Sequence, residues 1–448
     1  MNKLSNQSLK QNTFVGRFLL MILILMVLLV TMFNFNLDWV YSKDTKTKEV
    51  KLPKVNSASA IVINSKNGAL LYDKDKDKRI YPASTTKVLT AIVAIENGKL
   101  DDVITVSENA LKGMEKGGAH IALDAGEEIT LNNALYGLLM ASANECAIAI
   151  AEHISGTEEE FAKLMNKKAA DLGLTDSNFT NASGLFNKNH YSTAHDLAMI
   201  TSYAIKNPDF LRIFSTLSYT IPPSNIDKEP KLINNGHRMV KLKSWEYHGV
   251  VGGKRGFITE SKFNLITYAN RDDMGLITVT TKGDSERVNL EDTKNLFDYF
   301  YKNYKLVYLP EKINDTPIED NLNGDNRILA ASTYNKDDLT GIIAKTADKD
   351  QIKGSIKTKE KLDYPINKGE KTGEIIYTLD NEPVSIVPLV AKEEIKSNKY
   401  LVLIKYLLMG LAVILLIFAL ILGILIIRAK RIKRRNAAII AKRRKNRL

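Results

Sequence analysis

Residues 406–427 run for 22 positions without a charge, and the 21 residues that follow, 428–448, carry eleven Lys or Arg and no acid. An uncharged run of that length matches the hydrocarbon thickness of a bilayer, and a basic flank is kept on the cytoplasmic side. A buried core helix would show a polar face or a cap, and neither is present. The pattern predicts a transmembrane helix at 406–427 and a basic cytoplasmic tail at 428–448. A second apolar run, residues 18–33, follows Lys3, Lys10 and Arg17. It reads as a signal or anchor helix over 18–35 behind a basic cytoplasmic N-terminus at 1–17. With no small-x-small site soon after it, we expect it to stay uncleaved. Both ends then lie inside the cell membrane, and the chain between them is extracellular.

The formal net charge of +12 bears on partners only through its placement. The two ends hold 14 of the 63 basic residues, leaving 49 against 51 acidic residues in the interior. That near-neutral balance argues against a nucleic-acid partner. A content of 44% apolar and 25% charged residues is ordinary for globular protein and excludes wholesale disorder or a multi-span transporter. Cys146 is the single cysteine, so no internal disulfide forms and the outer domains must be held by packing.

After a polar linker at 36–56, short apolar runs at 60–63 and 69–72 flank Lys66-Asn67-Gly68, a hairpin pattern. Helical periodicity follows. Pro82 and Gly98 bracket a helix over 84–96, Thr157 with Glu160 forms a capping box, and Ser192 opens a further helix. Two strands, 263–269 and 275–281, then precede a helix over 290–301. Strand, helices, strand implies one antiparallel sheet built from both ends of a domain at 57–305, with helices packed on it: an α+β fold. Residues 308–395 show short alternating runs with Gly and Pro turns and imply a small all-β domain.

Ser84 and Lys87 stand three apart at a helix start, so hydroxyl and amine share a face. A lysine whose pKa is lowered by burial and neighbouring cations can take a serine's proton, which makes Ser84 a nucleophile. Ser142-Ala143-Asn144 falls at a break between two helical runs. A break there can aim Ser142 into a cleft as a proton relay and Asn144 as a substrate ligand.

These motifs, with SANECAIAIAEHISG, FTNASGLFNKNHYSTAHDLAMI and YPINKGEKTGEIIYTLDNEPVSIVPLVA, resemble the serine-type D-Ala-D-Ala carboxypeptidases, the low-molecular-weight penicillin-binding proteins. The resemblance covers most of residues 58–395. It implies a β-lactamase/transpeptidase-like catalytic domain followed by the family's C-terminal β domain. A literal Lys371-Thr372-Gly373 falls in that β domain and reads as a turn between short strands. The resemblance places the family's third motif instead at Lys254-Arg255-Gly256, where Arg255 replaces threonine. It implies that Lys254 polarises the cleft, that residue 255 meets the substrate's terminal carboxylate, and that Gly256 allows close approach. An oxyanion hole would come from the backbone N–H groups of Ser84 and Phe257. Arg255 either binds the carboxylate with two parallel hydrogen bonds or is too long and blocks the pocket.

The implied function is removal of the terminal D-alanine from peptidoglycan stem pentapeptides through a Ser84 acyl-enzyme, with β-lactams as covalent inhibitors and without cofactor. Two other readings stand beside it: a wall-binding protein whose turnover Arg255 has ended, and a β-lactamase using a carboxylate such as Glu145 to activate water. Metal hydrolysis is disfavoured because the histidines, His190 and His195 among them, form no close ligand pair, and no metal residue is assigned.

Overall fold

A computed structural model of the chain describes residues 52–112, 118–241, 244–313, 316–317, 332–358, 365–394 and, with short gaps, 406–432. β1 (Ser59–Asn64) and β2 (Leu70–Lys74) form the expected hairpin, with Gly68 at φ +76° in its turn. Late in the chain β3 (Val250–Ile258), β4 (Lys262–Arg271) and β5 (Met274–Gly283) join them in the antiparallel order β2-β1-β5-β4-β3. Both ends of the domain thus share one sheet. Asp272 and Asp273, at φ +49° and +64°, turn β4 into β5, a left-handed pair that Asp tolerates better than bulkier residues.

β1 is buried throughout, and its side chains alternate between two cores as strand geometry requires. Ile61 and Ile63 face the helical layer, among them Val88 and Ile92 of α1 (Lys87–Asn97) and Ile150 of α2 (Asn144–Ser155). Ala60 and Val62 face Leu296, Phe297 and Phe300 of α5 (Glu286–Asn303) on the other side. Two further helices, α3 (Glu158–Asp171) and α4 (Ala194–Ala204), complete the helical layer used below. The Thr157 hydroxyl caps α3 by accepting the Glu160 N–H, as the capping box predicts. The cap of α4 is Thr193 and not Ser192, because the backbone of Ser192 is already committed to a bridge with Ile80.

From α5 the chain passes into β6 (Tyr304–Tyr308), which pairs with β7 (Thr340–Ala344). The expected boundary between 305 and 308 therefore falls inside a strand. β8 (Lys353–Thr358), β9 (Lys371–Leu379) and β10 (Glu382–Ala391) build the β domain's main sheet. Lys371-Thr372-Gly373 is not a turn, contrary to the expectation from its composition. It opens β9, where Lys371 pairs with Val390, Gly373 with Leu389 and Thr358, and buried Thr372 meets Ser332 Oγ at 2.6 Å. Pairing on both sides fixes the segment as strand, and this sheet shares no strand with β1–β5.

Asn67, in the β1–β2 turn, ties the two domains. Its Nδ2 reaches the carbonyls of Asp338 and Thr340 at 3.2 and 2.6 Å and Ser385 Oγ at 2.7 Å. Lys206 adds an ion pair to Asp338 at 3.0 Å.

The expected anchor at 18–35, with residues 1–17 and the tail beyond 432, lies outside the described residues. Within 406–427 the described residues are helical and, Gly423 apart, exposed, Leu407 and Phe418 at 64% and 63%. Among the described residues no helix is long and apolar enough to cross a membrane.

Candidate active site

A cleft of about 980 Å³ opens where the start of α1, the start of α2 and β3 converge, and Ser84, Ser142, Asn144, Lys254, Arg255, Gly256 and Phe257 all line it. Lys87 lies just beneath, fully buried. The eight residues expected to act together are thus brought together.

Ser84 sits in a 3₁₀ turn, Ala83–Thr86, that runs into α1. Ala83 is left-handed at φ +52°, a conformation that costs a non-glycine residue on the order of 1 kcal/mol and must be imposed by its surroundings. Those surroundings are backbone packed on both flanks. A Cβ on Gly256 would lie 2.9 Å from Pro82 O and 3.0 Å from Ser84 N, and one on Gly184 (φ +81°) only 1.9 Å from Ala83 O. From below, Asn264 Nδ2 donates to the carbonyls of Tyr81 and Pro82 at 2.8 and 3.2 Å, while its Oδ1 accepts the Lys282 N–H. The nucleophile's turn is clamped between β3, β4 and the loop at 181–185.

Lys87 Nζ stands 3.0 Å from Ser84 Oγ, 2.7 Å from Asn144 Oδ1 and 2.6 Å from the Ser183 carbonyl. Burial brings its pKa down to about 7, against the opposing fields of Glu145, Cys146 and Glu158. A neutral amine has two hydrogens and one lone pair. Asn144 Oδ1 and Ser183 O can only accept, so they take the two hydrogens. The lone pair is left for the Ser84 hydroxyl.

A second hydroxyl–amine pair faces the first. Ser142 follows a π-helical turn, Gly137–Ala141, and is itself left-handed at φ +63°. Its Oγ meets Lys254 Nζ at 2.8 Å. Lys254 is almost wholly buried on β3, and burial first, then the charges of Lys87 and Arg255, hold its pKa well below the usual lysine range. A bound anion would offset those charges and favour its protonated form.

Alternation along β3 turns Arg255 to the opposite side from Lys254, half exposed at the cleft's rim. There it pairs with Glu286 of α5 at 3.1 Å. Behind the strand, His237 Nε2 lies 3.0 Å from Thr267 Oγ1, and burial pushes its pKa down to about 3, so the ring is a neutral packing element. His190, similarly depressed to about 4 by burial and the Lys87 charge, sits 2.9 Å from Thr86 Oγ1. His195 bonds Asp196.

Four residues that surround the reacting groups carry no signal in sequence patterning: Ser183, which acts through its carbonyl, Asn264, His237 and Glu286. Each is defined by a partner at least 30 positions away. Glu145 accepts the Ile121 N–H at 2.6 Å and is fully buried, and the cleft lining does not include it.

Comparison with known proteins agrees with this geometry. The family described as D-alanyl-D-alanine carboxypeptidase matches residues 45–285, and that described as penicillin-binding protein 5, C-terminal domain, matches residues 320–397. D-alanyl-D-alanine carboxypeptidase DacF of Bacillus subtilis is 31% identical over 78% of this chain and 88% of its own length. The Streptomyces K15 DD-transpeptidase structure is 27% identical over 56% of this chain and all of its own, with a TM-score of 0.53. Penicillin-binding protein 5 of Haemophilus influenzae, 24% identical with a TM-score of 0.58, covers 78% of this chain and all of its own and so shares the two-domain fold.

Proposed function

Because the chain belongs to the D-alanyl-D-alanine carboxypeptidase family, we propose that its cleft removes the terminal D-alanine from peptidoglycan stem pentapeptides through an ester on Ser84. The protein is a serine-type peptidase and a low-molecular-weight penicillin-binding protein. The observation that carries the assignment of roles is the three-way coordination of Lys87, which leaves one lone pair directed at Ser84.

In the first step Ser84 Oγ attacks the carbonyl of the penultimate D-alanine, and Lys87 Nζ takes its proton. The oxyanion is held by the N–H groups of Ser84 and Phe257, a type of contact worth about 3–4 kcal/mol per donor. The C–N bond then breaks. Ser142, bonded to Lys254, passes its proton to the departing amine and is re-protonated by the proton that Lys87 took from Ser84, so D-alanine leaves and Lys87 is neutral again. Water, activated again by Lys87, hydrolyses the ester and frees Ser84. Asn144 binds the peptide amide, Lys254 supplies positive charge, and Arg255 receives the terminal carboxylate. A β-lactam forms the same ester but keeps its leaving group tethered, so the adduct persists. The β-lactamase reading loses its candidate base, since Glu145 is fully buried and does not line the cleft.

We also place the cleft outside the cell membrane, tethered by the apolar runs at 18–33 and 406–427, whose charge flanks support that orientation. Membranes carrying the full-length chain are expected to release free D-alanine from pentapeptide, detected by mass spectrometry, to take up fluorescent penicillin, and to keep both activities after a high-salt wash. Absence of both label and D-alanine would sink the assignment. Label without release would support the wall-binding reading, and activity washed into the supernatant would remove the tether.

The pH dependence follows from Lys87. Once protonated it has no lone pair, so kcat/KM is expected to fall about tenfold per pH unit below about 7 and to level off above it. A flat profile between pH 5 and 8, read with a non-titrating substrate, would exclude Lys87 as the base.

A further inference from the structure

Glu286 holds a position that the reaction itself does not require. Its carboxylate is largely buried at the first turn of α5, with Oε1 3.1 Å from Arg255 Nη1 and Oε2 3.1 Å from Arg238 Nε. Arg255 and Glu286 both line the cleft. Two guanidiniums therefore share one anion at the rim of a pocket whose floor carries Lys254.

A substrate ending in a free carboxylate brings the same chemical group that Glu286 already presents to Arg255. Resting on the carboxypeptidase reading, we infer that Glu286 is an internal stand-in for the substrate's terminal carboxylate, parking Arg255 at the rim until a C-terminal acid displaces it, and so acts as a positioning residue for substrate selection. Three features make the exchange feasible. Arg255 is half exposed, so its ion pair is solvent-screened and weak. Glu286 keeps Arg238 as a partner when Arg255 departs, so its charge is not stranded. The α5 N-terminus and the Ser285 cap hold Glu286 in place independently of Arg255. A ligand without a terminal charge has no means of winning the guanidinium from Glu286. The device therefore favours free C-terminal acids over amidated or extended ends.

The test compares a pentapeptide ending in D-Ala-D-Ala with its C-terminal amide. In Glu286→Gln, KM for the acid is expected to fall roughly two- to fivefold, the range spanned by an exposed ion pair, with kcat and the amide's KM unchanged. In Arg238→Gln, Glu286 is left to Arg255 alone, and KM for the acid is expected to rise while that of the amide stays. Thermal unfolding establishes that each variant is folded, and either variant alone is enough to decide the outcome. An increase in KM for the acid in Glu286→Gln would mean that Glu286 aims Arg255 at the substrate, and would overturn the inference. So would equal changes for acid and amide, or no change in either variant. Failure of the carboxypeptidase reading looks different: the unaltered protein would then neither release D-alanine nor take up penicillin.

Discussion

Replacing Ser84 with alanine is expected to abolish covalent penicillin labelling and to lower kcat by on the order of 10⁶-fold, the loss seen when an acyl-enzyme nucleophile is removed. The loss is chemical and not structural. Ser84 contributes one side-chain contact, the 3.0 Å approach to Lys87, and its turn is held by backbone packing from Gly184 and Gly256 and by the Asn264 amide. A single hydrogen bond of this kind is worth about 1 kcal/mol, so the melting temperature should move by only a few degrees. Residual turnover measured with pentapeptide would then come from water attacking a carbonyl polarised by the oxyanion donors. Full labelling of Ser84→Ala, located elsewhere by peptide mapping, would refute the assignment of the nucleophile.

Lys87→Met should lower kcat/KM about 10²- to 10⁴-fold, the usual contribution of a general base, and should slow penicillin acylation in parallel. Its effect on stability is a contest between two terms. The substitution removes one donor each from Asn144 Oδ1 and the Ser183 carbonyl, a loss of about 1 kcal/mol per hydrogen bond. It also removes the cost of enclosing an amine with no exposed surface, which is several kcal/mol when that group is charged. The amine's pKa of about 7 shows that burial already dominates its environment. The methionine variant should accordingly gain relative stability at acid pH, where the parent must bury an ammonium, and lose that gain above pH 7. A low rate that recovers as pH rises would indicate some other base.

Much of the site is legible in the chain itself. Ser84 and Lys87 lie one helical turn apart, and that spacing alone brings hydroxyl and amine into contact. The hairpin at β1–β2, the capping box at Thr157 and the closing helix also follow from local rules. The features that local rules miss are set by contacts between distant segments. Nothing near Ala83 announces a left-handed residue; the conformation is enforced by glycines at 184 and 256. Lys371-Thr372-Gly373 has the composition of a turn, yet pairing with β8 and β10 makes it strand. The sequence changes pattern near 305, whereas β6 crosses that junction because Tyr304 to Tyr308 find partners in residues 340–344.

The two glycines that press on residues 82–85 limit how this pocket can diversify. Neither position has room for a β-carbon, so the wall immediately beside the nucleophile is closed to side-chain variation. Any drift in ligand preference must be written at the neighbouring exposed positions, Leu185, Phe186, Arg255 and Phe257, whose side chains reach the opening without entering the clamp. Reactivity and selectivity are thereby assigned to separate, adjacent residues, and the second can change while the first stays fixed.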